Sequence, residues 1–208
     1  MEKTPGLDAA YGLQGIEDNL QLYADWARTY DSSFAKSMDY VLPMHVAQGF
    51  QTEGGAAPVL DLGAGTGLCG AALKALGIGP VDAADLSSEM LEVAGGKGIY
   101  RTLFTGNLLE RLPVADGAYA GAVSSGTFTH GHVGPDALDE VCRVVSTGGV
   151  VSLSINAEHW TKAGYERKLD AMGGEIRDLK RREVPIYGAN AKGAHAQDRS
   201  YIVTFCKA

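Results

Sequence analysis

The sequence predicts an α/β fold in which a mainly parallel sheet is covered by helices. From Pro58 onward, short apolar runs alternate with helix-like segments, which is typical of consecutive βαβ units. A glycine-rich turn follows the first of these runs, in the stretch VLDLGAGTGLCG at residues 59–70. The 208 residues, 45% of them hydrophobic, suffice for one α/β domain with a core and are too few for two large ones.

Five strands and four helices are predicted in the alternating region. The strands are short apolar runs bounded by glycine, proline or polar residues. They are expected at residues 59–62, 81–85, 102–105, 119–124 and 150–155. The helices are expected at residues 67–76, 87–94, 135–145 and 157–174. Ser87 or Ser88 suits the N-cap of the second helix, and Pro135 suits the first position of the third. The TGG at 147–149 is interpreted as the turn into the fifth strand.

The two ends of the chain depart from this alternation. Residues 175–188 and 199–208 are predicted to be two longer strands, joined by a loop, that close one edge of the sheet. Upstream, the segment that precedes residue 51 has mixed helical periodicity and aromatic residues at positions 23, 26, 30 and 40. We predict about two helices there, forming an N-terminal helical cap at residues 1–50 in front of the main domain at 51–208.

Composition and charge restrict the class of protein. With 25 acidic and 18 basic residues the formal net charge is −7, which disfavours a nucleic-acid partner. The basic cluster at Lys180–Glu183 is interpreted as a solvated edge. Cys69, Cys142 and Cys206 lie far apart, the N-terminus has no basic segment followed by an apolar one, and no apolar run approaches about 18 residues. We therefore expect a soluble, cytoplasmic protein without a membrane partner.

The glycine-rich stretch is compatible with two kinds of ligand. A strand that enters a glycine turn and then a helix lets backbone N–H groups approach a ligand closely. Residues 65–70 match the pattern GxGxxG, and Asp85 lies about 20 residues further on, where nucleotide folds place a ribose-binding carboxylate. These features alone do not separate a dinucleotide from a cofactor without a pyrophosphate.

A second carboxylate favours the cofactor without a pyrophosphate. Asp61 stands just before Gly63, so an acidic side chain is expected to face the turn. It would repel a pyrophosphate, which relies on the uncompensated N–H dipoles of a helix start, but it suits a cationic amino-acid group. The alternative, an NAD(P)-dependent oxidoreductase of Rossmann type, keeps the glycine pattern and Asp85 but lacks a Tyr-x-x-x-Lys pair.

The motifs, taken together, resemble those of the class I S-adenosylmethionine-dependent methyltransferases. VLDLGAGTG resembles the glycine motif of that family, and later segments follow the order of its other motifs across residues 20–206. YADWARTYD and GTFTHGHV are most similar to the small methyltransferase-like proteins of the Williams-Beuren syndrome region type. The later family motifs are matched by VDAADLSSEML, TGNLLERLPVADGAYAGAVSSGTF and EVCRVVSTGGVVSLSI.

The resemblance implies a Rossmann-like sheet of seven strands, mostly parallel with an antiparallel last strand, and helices on both faces. It also implies that residues 51–208 bind S-adenosylmethionine, with S-adenosylhomocysteine as the product. By the same resemblance, Asp85 would accept hydrogen bonds from the ribose hydroxyls of S-adenosylmethionine, the methyl donor. Tyr30 would lie near this donor. The remaining donor-binding residues implied are Asp61, Gly63, Ala64, Gly65 (methionine portion), Leu86, Met90 (adenine face), Asn107, Leu108 (adenine edge), Ser124 and Ser125 (sulfonium). Asn107 stands where many relatives have Asp.

The expected reaction is direct in-line displacement, which needs alignment of the acceptor and exclusion of water more than a nucleophile on the protein. Where the acceptor carries a proton, histidine suits the role of base. THGHVG places His130 and His132 beyond the fourth strand, and we expect His130 to be the base; alternatively both are loop histidines that bond to the backbone. A metal site would need two further ligands that the spacing does not supply, so no metal is predicted.

The acceptor is expected to be a small molecule. The segment SSGTF lacks both the D/N-P-P-Y/F stretch of amino-methylating DNA enzymes and a Pro-Cys pair. Together with the acidic charge, this favours a small metabolite, with a protein side chain as the next choice. A non-catalytic binder of S-adenosylmethionine is a further alternative, because the chemistry requires no side chain whose absence would reveal inactivity.

Overall fold

A computed structural model describes residues 5–12 and 15–208. Eight α-helices are present in these residues, and a π-helical segment at Tyr30–Ala35 follows the second of them. The helices are α1 (Leu7–Tyr11), α2 (Ile16–Trp26), α3 (Leu42–Thr52), α4 (Leu68–Ala75), α5 (Ser88–Gly96), α6 (Ala137–Val144), α7 (Ala157–Ala163) and α8 (Tyr165–Ala171). None of the described helices is both long enough and apolar enough to cross a lipid bilayer.

The seven described strands form one sheet in the order β3-β2-β1-β4-β5-β7-β6. β1 to β5 pair in parallel, whereas β7 is antiparallel to both of its neighbours, β5 and β6. The strands are β1 (Val59–Leu62), β2 (Val81–Asp85), β3 (Leu103–Thr105), β4 (Tyr119–Phe128), β5 (Val145–Asn156), β6 (Ile176–Pro185) and β7 (Arg199–Lys207). The predicted mostly parallel seven-stranded sheet with an antiparallel last strand is confirmed.

Helices cover both faces of the sheet, so the central strands are buried on both sides. All four residues of β1 are buried, Asp61 included, as expected for a central strand of a parallel sheet that is covered on both faces. On one face, Leu60 packs in a core with Leu138 of α6 and Tyr165 of α8. On the other, Val59 packs with Phe50 of α3. α3 therefore belongs to the layer that covers the sheet, while α1, α2 and the π-helical segment precede it.

Several predicted boundaries agree closely with the structure. β1 and β2 have the predicted bounds, and the Ser87 hydroxyl caps α5 by accepting a hydrogen bond from the Met90 N–H at 3.2 Å. The closing pair of strands near the C-terminus is also present as β6 and β7. The predicted basic cluster Lys180–Glu183 lies on β6, with every one of its side chains exposed.

Three predicted boundaries were wrong. The helix expected at residues 157–174 is divided by Gly164, whose φ of +80° ends α7 and precedes α8. β5 begins at Val145 and includes the TGG segment that was interpreted as a turn. β4 continues to Phe128, and its register with β5 shifts between Ser124 and Phe128, near Gly126 with a φ of +83°.

Candidate active site

A cavity of about 520 Å³ lies at the carboxyl ends of the parallel strands, where open α/β sheets bind ligands. Its wall combines the glycine turn after β1, the ends of β2 and β4, and the N-terminal helices. Nine of the donor-binding residues that the sequence predicts line it together with Tyr30: Gly63, Ala64, Gly65, Asp85, Leu86, Met90, Asn107, Leu108 and Ser125. The fold therefore brings most of the predicted site into one wall.

The glycine turn is held in a conformation that requires glycine at two positions. Gly63 and Gly65 have φ values of +66° and +54°, in the left-handed region that L residues rarely adopt. A Cβ at Gly63 would clash with the Thr127 side chain on β4, whereas one at Gly65 would meet no atom within 4 Å. The turn is thus packed tightly at Gly63 and leaves space in the cavity beside Gly65.

Asp85 ends β2 and presents a carboxylate to the cavity. Its Oδ2 accepts a hydrogen bond from the Gly65 N–H at 2.7 Å, and its Oδ1 accepts one from the Ser87 N–H at 2.9 Å. Burial raises the pKa of Asp85, and these backbone hydrogen bonds oppose that shift. The side chain therefore joins the two loops that form this part of the wall.

Asp61 is fully buried and lies outside the cavity wall. Its Oδ2 accepts a hydrogen bond from the Tyr100 hydroxyl at 2.6 Å, while its Oδ1 has no hydrogen-bond partner among the described residues. Burial raises the pKa of Asp61 to about 7. Gly70 makes room for the Tyr100 ring, since a Cβ there would clash with it. The last glycine of the GxGxxG pattern thus makes space for the contact between Tyr100 and Asp61.

The wall near α5 is apolar and ends in an amide. Leu86 and Met90 follow β2, and Leu108 is almost fully buried. The Asn107 Oδ1 accepts from the Leu109 N–H at 3.0 Å, and its Nδ2 donates to Glu110 at 3.2 Å. The Asn107 side chain thereby stabilises its own loop after β3.

The two serines of β4 have different positions. Ser124 is fully buried, lies outside the wall, and donates a hydrogen bond to the Leu62 carbonyl oxygen at 2.6 Å. Ser125 lines the cavity, and the next residue, Gly126, donates its N–H to the Ser154 hydroxyl at 2.8 Å. Contact of Ser124 with a ligand stays a prediction, while its observed bond attaches β4 to β1.

The two loop histidines after β4 also differ. The His130 side chain lies outside the wall, with its Nε2 3.9 Å from a Glu158 carboxylate oxygen and its ring 4.9 Å from that of His159. His132 lines the cavity; its Nδ1 lies 2.7 Å from the His130 carbonyl oxygen and its Nε2 lies 2.8 Å from the Tyr23 hydroxyl. Of the two, His132 is the one that faces the cavity.

The N-terminal aromatic residues pack against one another in a cluster beside the cavity. The Tyr30 ring lies 4.9 Å from the ring of Trp26 and 4.9 Å from that of Phe34, between centroids. Trp26 is buried and outside the wall, whereas Tyr23, Tyr30 and Phe34 line it. Burial holds the pKa of Tyr30 well above its usual range, so this ring stays neutral.

One acidic side chain attaches the N-terminal helices to the rest of the site. The Asp31 carboxylate accepts a hydrogen bond from the Thr66 hydroxyl in the glycine turn, at 2.5 Å. The Lys97 ammonium at the end of α5 donates to the other Asp31 oxygen, also at 2.5 Å. We call these three residues the Asp31 clasp.

Sequence reasoning missed the pairing of Tyr23 with His132 and the role of Asp31. The spacing of Tyr23, Trp26 and Tyr30 did indicate a shared helical face, but the bond between residues 109 positions apart could be seen only in the fold. No group of three or more histidine, cysteine or acidic side chains suited to a metal occurs within residues 5–12 and 15–208.

Comparisons with known proteins agree with this geometry. The sequence profile of the methyltransferase domain family matches residues 59–149. The chain is 30% identical over 167 residues to human methyltransferase-like protein 27, an alignment that spans 78% of this chain and 67% of the relative.

Solved structures have the same fold. A methyltransferase from Thermotoga maritima, described as S-adenosylmethionine-dependent and as a possible histamine N-methyltransferase, superposes with a TM-score of 0.62 at 16% identity, covering 90% of this chain and 98% of that one. The DhpI-SAH complex superposes with a TM-score of 0.63 at 21% identity, covering 92% and 96%. At these identities the structural similarity shows the fold alone.

Proposed function

The chain belongs to the class I S-adenosylmethionine-dependent methyltransferases, and from this premise we propose that it methylates a small-molecule acceptor by direct in-line displacement. The observation that carries the proposal is the single cavity that extends from Gly65 and Asp85 to Tyr23 and His132. Its volume of about 520 Å³ lies within the range of small-molecule sites, about 300 to 1,000 Å³.

The residues present suit S-adenosylmethionine, the cofactor of the family. The open space beside Gly65 admits a ligand close to the backbone, and Asp85 offers the oxygens that ribose hydroxyls require. Leu86 and Met90 provide an apolar surface for adenine. Asp61 lies outside this wall, so its contact with the donor stays a prediction, whereas Gly65, Asp85, Leu86 and Met90 all line it. These features support the predicted donor site.

The contribution of the chain to the reaction is to bind, orient and exclude water. When bound, S-adenosylmethionine supplies an electrophilic methyl group on a sulfonium that leaves readily. The Tyr30 ring, neutral and packed against both Trp26 and Phe34, suits the neighbourhood of a cation, which aromatic faces attract. Alignment of this kind lowers a barrier by roughly 7 to 11 kcal/mol when the geometry is near ideal.

The N-terminal helices favour a small acceptor over a macromolecule. α1, α2 and the π-helical segment contribute wall residues such as Leu7, Tyr23 and Tyr30, so the acceptor end of the cavity lies beneath a layer of protein. The net charge of −7 also disfavours a nucleic acid.

A labelled-donor experiment tests the choice of acceptor. The protein is incubated with S-adenosylmethionine labelled on its methyl group, once with a deproteinised cell extract and once with the protein and nucleic-acid fractions. We expect label in the small molecules of the first incubation. Label that appears only in proteins or nucleic acids would contradict a small acceptor.

The donor site is tested by Asp85→Asn, titrated calorimetrically with S-adenosylhomocysteine. We expect affinity to fall at least about tenfold, because hydrogen bonds to a charged group contribute about 1.5 to 3 kcal/mol and each decade corresponds to about 1.4 kcal/mol. Asp116→Asn serves as the control, since Asp116 is exposed and paired with Arg111 and Arg143 away from the cavity. Equal affinities in both variants would remove the ribose assignment.

A further inference from the structure

We propose that the acceptor end of the cavity binds an uncharged phenol, and that Tyr23 and His132 together remove the proton of its hydroxyl group. This inference rests on the proposed function and adds to it the acceptor class and the base. Three independent observations carry it: the charge of the wall, its aromatic and apolar character, and the hydrogen-bonded geometry of the Tyr23–His132 pair.

The wall is nearly free of charged side chains. Among the described residues that line the cavity, Asp85 is the only aspartate, glutamate, lysine or arginine. Asp85 already accepts hydrogen bonds from Gly65 and Ser87 and lies at the predicted ribose site. A carboxylate or phosphate acceptor would find no cation there, and an ammonium acceptor would find no second carboxylate. Burial of an unpaired charge is costly, so an uncharged acceptor is favoured.

The acceptor end is aromatic, and its rim is apolar. Tyr23, Tyr40, Phe128 and Tyr187 line this region, and aromatic rings favour edge-to-face or offset contacts with another ring. One wall side chain of α2, Ile16, is also unusually exposed for its type, at 46%. An apolar rim suits the entry of a molecule with an aromatic body.

Hydrogen bonding determines which nitrogen of His132 can act as a base. The His130 carbonyl oxygen can only accept, so the His132 Nδ1 carries the hydrogen of that bond. In the neutral ring Nε2 is then an acceptor, and the Tyr23 hydroxyl donates to it at 2.8 Å. The pair thus has one direction of proton transfer, from Tyr23 toward His132.

The surroundings of His132 keep its ring neutral. Burial is the main cause that lowers its pKa, and the neighbouring His159 of α7 adds to this, while the hydrogen bond to the His130 carbonyl opposes it. Tyr23 faces it from α2, and the Glu158 carboxylate of α7 lies 3.9 Å from the Nε2 of the neighbouring His130. The unprotonated base is therefore present at neutral pH, because a lowered pKa keeps the ring unprotonated there.

The proton transfer balances in one concerted relay. The O–H bond of the acceptor phenol breaks and its proton passes to the Tyr23 oxygen, while the original Tyr23 proton passes to the His132 Nε2. The phenol oxygen keeps the electron pair of its former O–H bond and forms the new O–C bond with it, while the bond between that methyl carbon and the donor sulfur would break and leave its electron pair on the sulfur. His132 becomes a cation and later releases its proton to solvent. An uncharged amine would need no such base, and this favours a hydroxyl acceptor.

Three matched probes test the charge preference: 4-ethylphenol, which is uncharged, tyramine, which is a cation, and 4-hydroxyphenylpropionate, which is an anion. Each is titrated into the protein saturated with S-adenosylhomocysteine. We expect 4-ethylphenol to bind at least tenfold more tightly than either charged analogue. Binding of a charged analogue at equal or higher affinity would overturn the inference, as would absence of 4-ethylphenol binding. Failure of S-adenosylhomocysteine itself to bind would instead overturn the proposed function.

The base is tested by His132→Gln and Tyr23→Phe, assayed for methylation of 4-ethylphenol with labelled donor. General bases contribute about 10² to 10⁴, so we expect kcat to fall at least about a hundredfold in the first variant. Tyr23→Phe should lose at least tenfold with KM within threefold. Both deficits should shrink toward pH 10, where the phenol ionises without help. His195→Gln, in the loop before β7 and outside the wall, should match the parent protein. Deficits that do not change with pH would contradict the relay.

Nuclear magnetic resonance of the imidazole nitrogens gives a readout that does not depend on turnover. His132 should show a protonated Nδ1 and an unprotonated Nε2 at neutral pH. Tyr23→Phe should move the Nε2 resonance of His132, with the histidines at 45 and 195 as internal references. A His132 ring that carries its proton on Nε2 would overturn the assignment of the base.

Discussion

At the scale of single residues, two glycines of one turn have opposite surroundings. Both Gly63 and Gly65 adopt positive φ, so alanine at either position costs a similar strain, about 1 to 2 kcal/mol. Only at Gly63 does a Cβ clash, with Thr127, while at Gly65 it enters open space in the cavity. Glycine at position 63 is therefore required by the packing of the fold, whereas glycine at position 65 leaves space for a ligand.

We predict that Gly63→Ala mainly destabilises the protein and that Gly65→Ala mainly abolishes ligand binding. The first adds overpacking to backbone strain, and overpacking alone costs about 1 to 3 kcal/mol. The second should retain a melting temperature closer to that of the parent but lose at least tenfold in affinity for S-adenosylhomocysteine. Thermal unfolding and calorimetry on both variants check this, and equal effects on both measurements would contradict it.

The buried carboxylate of Asp61 predicts a particular pH dependence of stability. Because burial raises its pKa from 3.8 to about 7, the folded state keeps this proton at pH values where the unfolded state has lost it. The contribution of Asp61 to stability is therefore most favourable at low pH and declines as the pH rises through that window.

We expect Asp61→Asn to raise the melting temperature at pH 8 without ligand, and the gain to shrink toward pH 4. Each pKa unit is about 1.4 kcal/mol, and 1 kcal/mol shifts the midpoint by about 2 to 4 °C for a chain of this size. Asp116→Asn should instead lower the melting temperature at pH 8, and this loss should shrink toward pH 4. The reason is that Arg143 lowers the pKa of Asp116, so the contribution of Asp116 to stability is lost as the pH falls. A gain for Asp61→Asn that is independent of pH would contradict the assigned cause.

At the scale of elements, the Asp31 clasp connects α2 and the π-helical segment to the glycine turn and α5. Asp31 and Lys97 are partly exposed, with side-chain exposures of 37% and 25%, so their ion pair adds little to global stability. The ion pair lies between the N-terminal helices and the cavity, so we expect it to slow the local opening of these helices. Such elements can open independently of the core.

We predict that Lys97→Met accelerates hydrogen exchange of the amides in residues 16–35 several-fold and speeds release of S-adenosylhomocysteine. The melting temperature should change by less than about 3 °C, since such pairs contribute at most about 1 kcal/mol. Lys168→Met, which breaks an ion pair between α8 and α6 that joins a lysine of similar exposure to Asp139, should leave both rates unchanged. Unaltered exchange in Lys97→Met would refute the role of the clasp.

Elements whose signals are local could be predicted from the sequence. β1 and β2 are short buried runs that end in polar turns, and the α5 N-cap depends only on Ser87 and the residue three positions later. The extension of β5 through Gly148 and Gly149 could not be predicted in this way, because both residues lie in a register shift between the pairs Tyr119–Val145 and Gly121–Val150, which only the pairing of β5 with β4 creates.

Site residues could be predicted from the sequence where the path of the backbone places them in the wall. They could not be predicted where the direction of a side chain decides whether it faces the cavity. Asp85 and Gly65 lie in the wall because a strand end and a turn place them there. His130 and His132 are two residues apart in one loop, and only the packing of α2 and α7 determines that His132 faces the cavity. Whether His130 touches an acceptor stays a prediction.

At the scale of the whole molecule, strand order explains why distant segments meet. β1 pairs with β2 on one side and with β4 on the other. The chain adds β2 and β3 on the first side and then crosses over to add β4 and β5 on the second. This is the switch point at which open α/β sheets form a crevice. The glycine turn, Asp85 and the end of β4 therefore converge, and the N-terminal helices complete the enclosure.

The same topology leaves β6 at one edge of the sheet. No strand of the described chain pairs with its outer side, and Arg177 to Glu183 are all exposed. Its register with β7 shifts between Arg177 and Lys180, with Asp178 at a φ of +59°. Charged side chains and a bulge are two devices by which edge strands avoid pairing with other chains. The basic cluster of the sequence thus has a structural role here.

We predict that replacing Lys180 and Arg182 together by valine makes the protein associate through β6. Two positive charges are lost, so the net charge changes from −7 to −9 and repulsion between copies increases. Association in spite of that repulsion would identify edge pairing as the cause, since valine favours strands and presents no charge.

Lys162→Ala with Arg167→Ala, on the exposed surface of α7 and α8, produces the same net charge and should remain as dispersed as the parent. Light scattering across a concentration series measures this, and identical behaviour of the two double variants would exclude a protective role for the β6 charges.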